Sequence, residues 1–192
     1  MAKRFEFRPD KPHSGLLGKL YLTQQQRKRL LKWVLYGAVL LVLSLLQDVI
    51  LCHLRIFGAT TDLVPCGIFL ICLIEGSEKG SIFSLIAALL YMFSGFSPGP
   101  TSLVLIPAIA IGVCMFRQGY LQWGFRTVLL CMAGALLCYE LITFAIGLFL
   151  GLTNLSRLLG FVLTAILSLL TVPALYPLVR AIYAVGGEAW KE

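Results

Sequence analysis

Residues 27–51 read RKRLLKWVLYGAVLLVLSLLQDVIL. Three consecutive cations and Lys32 stand before a run that carries no charge until Asp48. A helix rises 1.5 Å per residue, so crossing a hydrocarbon core of about 30 Å takes roughly 20 apolar residues. The segment from about Trp33 to Leu51 meets that length, and Trp33 and Tyr36 suit the membrane–water interface at its start. This run is read as a retained transmembrane helix. No small-x-small cleavage site follows it, and the leader is too long and polar for a signal-peptide n-region.

The same pattern recurs along the chain. Further apolar runs lie at about Asp62 to Ile74, Ser81 to Ser94, Thr101 to Phe116, Thr127 to Leu150 and Leu158 to Tyr183. Charged or Gly/Pro-rich turns separate them, among them Glu75–Gly80, Gly95–Pro100 and the basic, aromatic segment Arg117–Arg126. The predicted fold is all-α: a polytopic membrane protein with six transmembrane helices in one bundle. Residues 1–32 form a basic tail, 33–185 the helical domain and 186–192 a short C-terminal tail. Within the tail, residues 14–22 place Leu16, Leu17, Leu20 and Tyr21 near one helical face, as an interfacial helix would. Thr23 and Gln26 have the spacing of a capping box for the first helix.

Composition agrees. The 192 residues are 59% hydrophobic and 13% charged, against about 25% charged in soluble domains. The mean hydropathy is +0.90. The net charge of +7 comes mostly from the tail, where nine of the 16 Lys and Arg residues lie. Arg27, Lys28, Arg29 and Lys32 adjoin the first apolar run, where a cation gains about 1 kcal/mol near anionic lipid. These four are assigned to lipid-surface contact, and nucleic acid is set aside as a partner. With six spans and the N-terminus inside, fourteen Lys and Arg fall on the inner side and two, Arg55 and Arg157, on the outer. That satisfies the positive-inside rule and places both termini in the cytoplasm.

Few polar groups interrupt the runs. Glu140 lies near the middle of the fifth, where a charge costs about 2.5–3.5 kcal/mol on insertion scales. No Lys, Arg or His shares the membrane interior with it, so it reads as a protonated acid bonded to a neighbouring helix or as a ligand or proton site. Gln47 is placed to bridge helices. Asp62 opens the second run, where an acid suits a helix N-terminus. Asp48 and Asp62 together offer an acidic pair of no known catalytic spacing. Gly147 and Gly151 form a GxxxG and, with Ala133, Gly134 and Cys138, a small-residue face for helix contact. Pro107, Pro173 and Pro177 fall inside apolar runs, and LTVPALYP predicts a kink in the sixth. The sequon at Asn154 sits in too short a turn to be a good acceptor.

The six cysteines include no CxxC, and five lie in apolar runs as small hydrophobes. The sequence has no P-loop or HExxH, and only His13 and His53 as histidines. The reading is non-enzymatic, with no cofactor and no metal.

Taken in order, the motifs resemble the bacterial rod shape-determining protein MreD family over about Gln47 to Gly187. They are Gln47 near the end of the first span, the turn Arg55-Ile-Phe-Gly58 and the opening Asp62-Leu63. Glu78-Lys79-Gly80-Ser81-Ile82-Phe83, Ala88-Leu89-Leu90-Tyr91-Met92-Phe93-Ser94-Gly95, and Gly99 before Ser102-Leu103 follow. The ending Leu170-Thr171-Val172-Pro173-Ala174-Leu175-Tyr176-Pro177 also looks like the family. The chain departs at Met92, where the family usually has Asp, at Ala88 for Gly and at Thr61 for Pro. The resemblance implies a non-catalytic scaffold of lateral wall synthesis in the bacterial cytoplasmic membrane. It implies a bitopic MreC-like partner, coupling to MreB-type filaments and to the glycan polymerase and transpeptidase pair. The competing expectation is the substrate-binding S component of an energy-coupling-factor vitamin importer. Gln47, Asp48, Tyr139, Glu140 and Asn154 would then line an outward cavity. Against it, the first span lacks small-xxx-small spacing, since Val42 lies four after Ala38.

Overall fold

The computed structural model describes residues 24–51, 53, 59–94, 97–120 and 124–185. The expected interfacial helix at 14–22, Thr23 and the C-terminal tail lie outside these residues. Six α-helices account for most of what is described: α1 Gln24–Leu46, α2 Leu63–Glu75, α3 Ser77–Met92, α4 Thr101–Tyr120, α5 Phe125–Phe149 and α6 Leu158–Val185. A π-helical turn, Gln47–Leu51, extends α1, and a 3₁₀ turn, Leu155–Arg157, leads into α6.

Four of the six, in α1, α4, α5 and α6, are long and apolar enough to cross a membrane. The other two are shorter. α2 has 13 residues and α3 has 16, so α2 reaches only about 20 Å.

α2 explains the architecture. Its sequence, LVPCGIFLICLIE, is apolar on every side, and all of Leu63–Ile74 is buried. A helix without a polar face must be surrounded, and α2 touches each of the other five helices. Those five form a ring in the order α1, α6, α5, α4, α3, each packed on the next. The ring is open at one seam, between α3 and α1. There the contact is carried by the aromatic cluster of Trp33, Tyr36 and Phe83, whose ring centroids lie 5.6–5.9 Å apart.

The connections are tighter than the sequence suggests. Glu75–Gly80, expected to be a turn, is mostly helix: Gly76 alone links α2 to α3, with φ +92°. A positive φ there favours glycine. Four residues on, a Cβ on Gly80 would lie 3.0 Å from Cys72 Cα and O, so α2 and α3 meet backbone to side-chainless backbone. The segment expected as a loop from Arg117 is likewise helical through Tyr120. Pro107, Pro173 and Pro177 all sit inside helices that continue through them.

Candidate functional site

A helix leaves its first N–H groups and last C=O groups without internal partners. For an exposed helix water supplies them. α2 is enclosed, so side chains of its neighbours must do so, and these are where the polar residues of the bundle collect. They form two clusters, one at each end of α2. The end that carries the start of α1 is called here the basic end, the opposite one the far end.

At the basic end the carboxylate of Glu75 receives Lys32 at 2.8 Å and the Tyr36 hydroxyl at 2.9 Å. The side chains of the ion pair are 3% and 0% exposed. The Lys32 ammonium also lies 4.9 Å from the centre of the Tyr183 ring, a cation–π distance. One lysine thus joins α1, α2 and α6. From α4, the Arg117 guanidinium donates to the carbonyl of Leu73, and the Cys114 thiol to that of Cys72 at 3.2 Å. Arg117 is buried. The last turn of α2 is closed by α1 and α4.

At the far end Gln47 does two things. Its Oε1 accepts the Val64 N–H at 3.0 Å, and its Nε2 donates to Asp62 Oδ1 at 3.4 Å. The Asp62 N–H donates to Ser168 Oγ of α6 at 2.8 Å. Tyr91 of α3 is buried beside this group. The Asp62 and Glu140 carboxyls lie close enough to interact electrostatically. Glu140 is buried, and its Oε1 has no partner among the described residues. Buried oxygens of Asp48, Thr143 and Thr153 share that condition.

The expected site residues therefore separate. Gln47, Asp62 and Glu140 come together. Asp62 stands at the N-cap of α2 but makes no side-chain cap; Gln47 and Ser168 satisfy the N–H groups there. Asp48 sits in the π-helical turn, and among the described residues the carboxyl facing Asp62 is that of Glu140. Arg27, Lys28 and Arg29 are exposed on the first turns of α1. Lys32, grouped with them on sequence, is instead 2% exposed and bound to Glu75. The geometric reason is helical spacing: Lys32 and Tyr36, four apart, share the face of α1 that meets α2.

Gly147 and Gly151 correct another expectation. Gly151 has φ +70°, and its N–H donates to Leu148 O at 3.1 Å while the Leu152 N–H donates to Gly147 O at 2.8 Å. That is the Schellman arrangement that ends a helix. A Cβ on Gly147 would lie 3.1 Å from Thr153 Oγ1, so this glycine faces its own turn. The GxxxG spacing serves the stop of α5.

Glu75, Ser168 and Arg117 were not among the expected site residues. Glu75 and Arg117 carry charges next to glycine-rich or polar segments, which reads as a turn. Ser168 lies in an apolar run, where a lone serine gives no signal of its partner 106 positions away.

No protein-family model, curated protein or solved structure matches the chain.

Proposed function

We propose that the chain is a non-catalytic membrane scaffold of the bacterial cell-wall elongation machinery, of the MreD kind, that binds a bitopic MreC-like partner. In this reading all six helices lie in the cytoplasmic membrane, with the basic end and both termini in the cytoplasm. α2 is short because it belongs to a buried core and not to the lipid-facing wall, of which α3 is the shortest member. The observation that carries the reading is the use made of the motif residues. Gln47, Asp62 and Gly80, which belong to the ordered resemblance, are among the residues that fasten α2 to α1, α3 and α6. Residues so engaged build a rigid body with partner-facing walls. A scaffold needs that body and no reaction centre.

The test is genetic and biochemical. Depletion of the chain in its rod-shaped host is expected to give round cells, and a tagged copy is expected to retain a single-span protein in mild detergent. Unchanged width and growth mode after depletion would reject the reading.

One observation favours the importer alternative: the buried, unpartnered oxygens of Asp48, Glu140 and Thr143 lie toward the far end. A substrate-binding S component would purify with a vitamin bound or take one up at nanomolar concentration. A flat titration to micromolar concentration counts against it.

A further inference from the structure

The seam that α1 and α3 leave open is a groove of about 610 Å³. Trp33, Gly37 and Leu41 of α1 form one wall, and Lys79, Ile86 and Leu90 of α3 the other. The upper walls are exposed and apolar, with Leu41, Ile86 and Leu90 each more than half accessible. The floor is buried and includes Phe83 and Ala87.

We propose that this groove holds an acyl chain of one anionic phospholipid, with its headgroup at Lys79. Three features of the groove select that occupant. Its length is the first. The walls, Trp33 to Ser44 and Lys79 to Tyr91, cover eleven and twelve residue steps, about 16–18 Å of helix. That is close to half of a 30 Å hydrocarbon core, the depth of one leaflet. A partner's transmembrane helix would need a surface running the full thickness. Charge is the second feature. Lys79 stands at the basic end of the groove, and Arg29, exposed on α1, lies one turn before Trp33 on the same face. The far end is lined by Ser44 and Tyr91 and carries no charge. A ligand with one anionic tip and an otherwise apolar body matches that asymmetry. The third is Trp33 itself, an interfacial side chain at the charged end. The inference requires that the chain lie in a membrane with its basic end at the interface. It does not depend on the scaffold reading.

Native mass spectrometry of the full chain in mild detergent tests it, with phosphatidylglycerol and phosphatidylcholine as probes. One phosphatidylglycerol is expected to stay bound per chain, about fivefold more tightly than phosphatidylcholine, the effect of one cation near anionic lipid. Gly37 lines the groove, and a Cβ there meets nothing within 4 Å, so Gly37→Leu places a side chain in the groove and should abolish the retained lipid. Gly134→Leu, at an equally open position on α5, should leave it. Lys79→Gln should reduce phosphatidylglycerol to the level of phosphatidylcholine. Should Gly37→Leu fail to fold, the exposed Lys79 variant still decides the matter. The proposal is overturned if no lipid is retained, if Lys79→Gln leaves the preference intact, or if the folded Gly37→Leu protein retains the lipid. Capture of a polypeptide by a photocrosslinker at Ile86 would assign the groove to a helix and would also overturn it.

Discussion

Lys32 and Glu75, 43 positions apart in sequence, form an ion pair at 2.8 Å with almost no exposed side-chain surface. Burying two charges is costly, and removing one partner leaves the other uncompensated, which costs about 3–5 kcal/mol. Lys32→Met is therefore expected to lower the unfolding midpoint in detergent sharply. Adding Glu75→Gln removes the stranded charge and keeps an acceptor for the Tyr36 hydroxyl. The double variant should be more stable than Lys32→Met alone. Lys28→Met, at an exposed position on the same helix, should change little. Equal midpoints for Lys28→Met and Lys32→Met would mean that the pair does not hold the basic end together.

Gly80 and Gly112 make a second comparison. A methyl on Gly80 would press on the Cys72 backbone at 3.0 Å, whereas one on Gly112 meets nothing within 4 Å. Overpacking typically costs about 1–3 kcal/mol, while an alanine in an open helical site is favoured over glycine by up to about 1 kcal/mol. Gly80→Ala should lose stability and Gly112→Ala should hold or gain it. Thermal unfolding of the two variants side by side checks the α2–α3 contact.

How much of this was legible in the sequence depended on whether a residue's role was local. The apolar runs gave the helices because length and the absence of charge are local properties. All six expected helices are present, with α1 and α4 longer than their apolar runs because cations and amides continue a helix past the apolar part. Lys32 was misplaced for the opposite reason. A lysine beside an apolar run looks like its neighbours Lys28 and Arg29, and only packing shows which face of α1 turns toward α2. Gly147 and Gly151 had a spacing that fits both helix contact and a helix stop. The apolar run expected to end at Leu150 already put Gly151 where a helix stop belongs, and its positive φ selects that use. Four helices are long and apolar enough to cross a membrane, whereas the enclosed α2 has 13 residues and α3 has 16.

The first N–H groups of α2 supply a third prediction. Gln47→Leu removes the acceptor of the Val64 N–H in an enclosed site, and a buried unsatisfied donor costs about 1–3 kcal/mol. Ser168→Ala does the same to the Asp62 N–H. Gln47→Glu retains the acceptor oxygen but brings a third carboxyl against Asp62 and Glu140. All three should destabilise the chain. Hydrogen exchange should rise first in the opening turn of α2, and equal protection at Val64 in wild type and Gln47→Leu would contradict the assignment.

Glu140 separates a structural from an ion-handling use of the far-end cluster. Its carboxyl lies beside that of Asp62 in the buried cluster. Glu140→Gln preserves the shape, removes the titratable group and offers an amide donor toward Asp62. If the pair only fastens α5 to α2, this variant should fold with an unfolding midpoint near wild type and should match the parent chain in cells. Glu140→Ala should not, because it opens a cavity and leaves Asp62 with Gln47 alone; buried truncations of this size cost about 2–5 kcal/mol. If instead the cluster moves a proton or holds a cation, Glu140→Gln would fold normally and fail in cells, since an amide can neither release the proton nor carry the charge. The scaffold reading requires the first result. A stable but inactive Glu140→Gln protein would transfer the weight of the evidence to a transport or ligand function at the far end of α2.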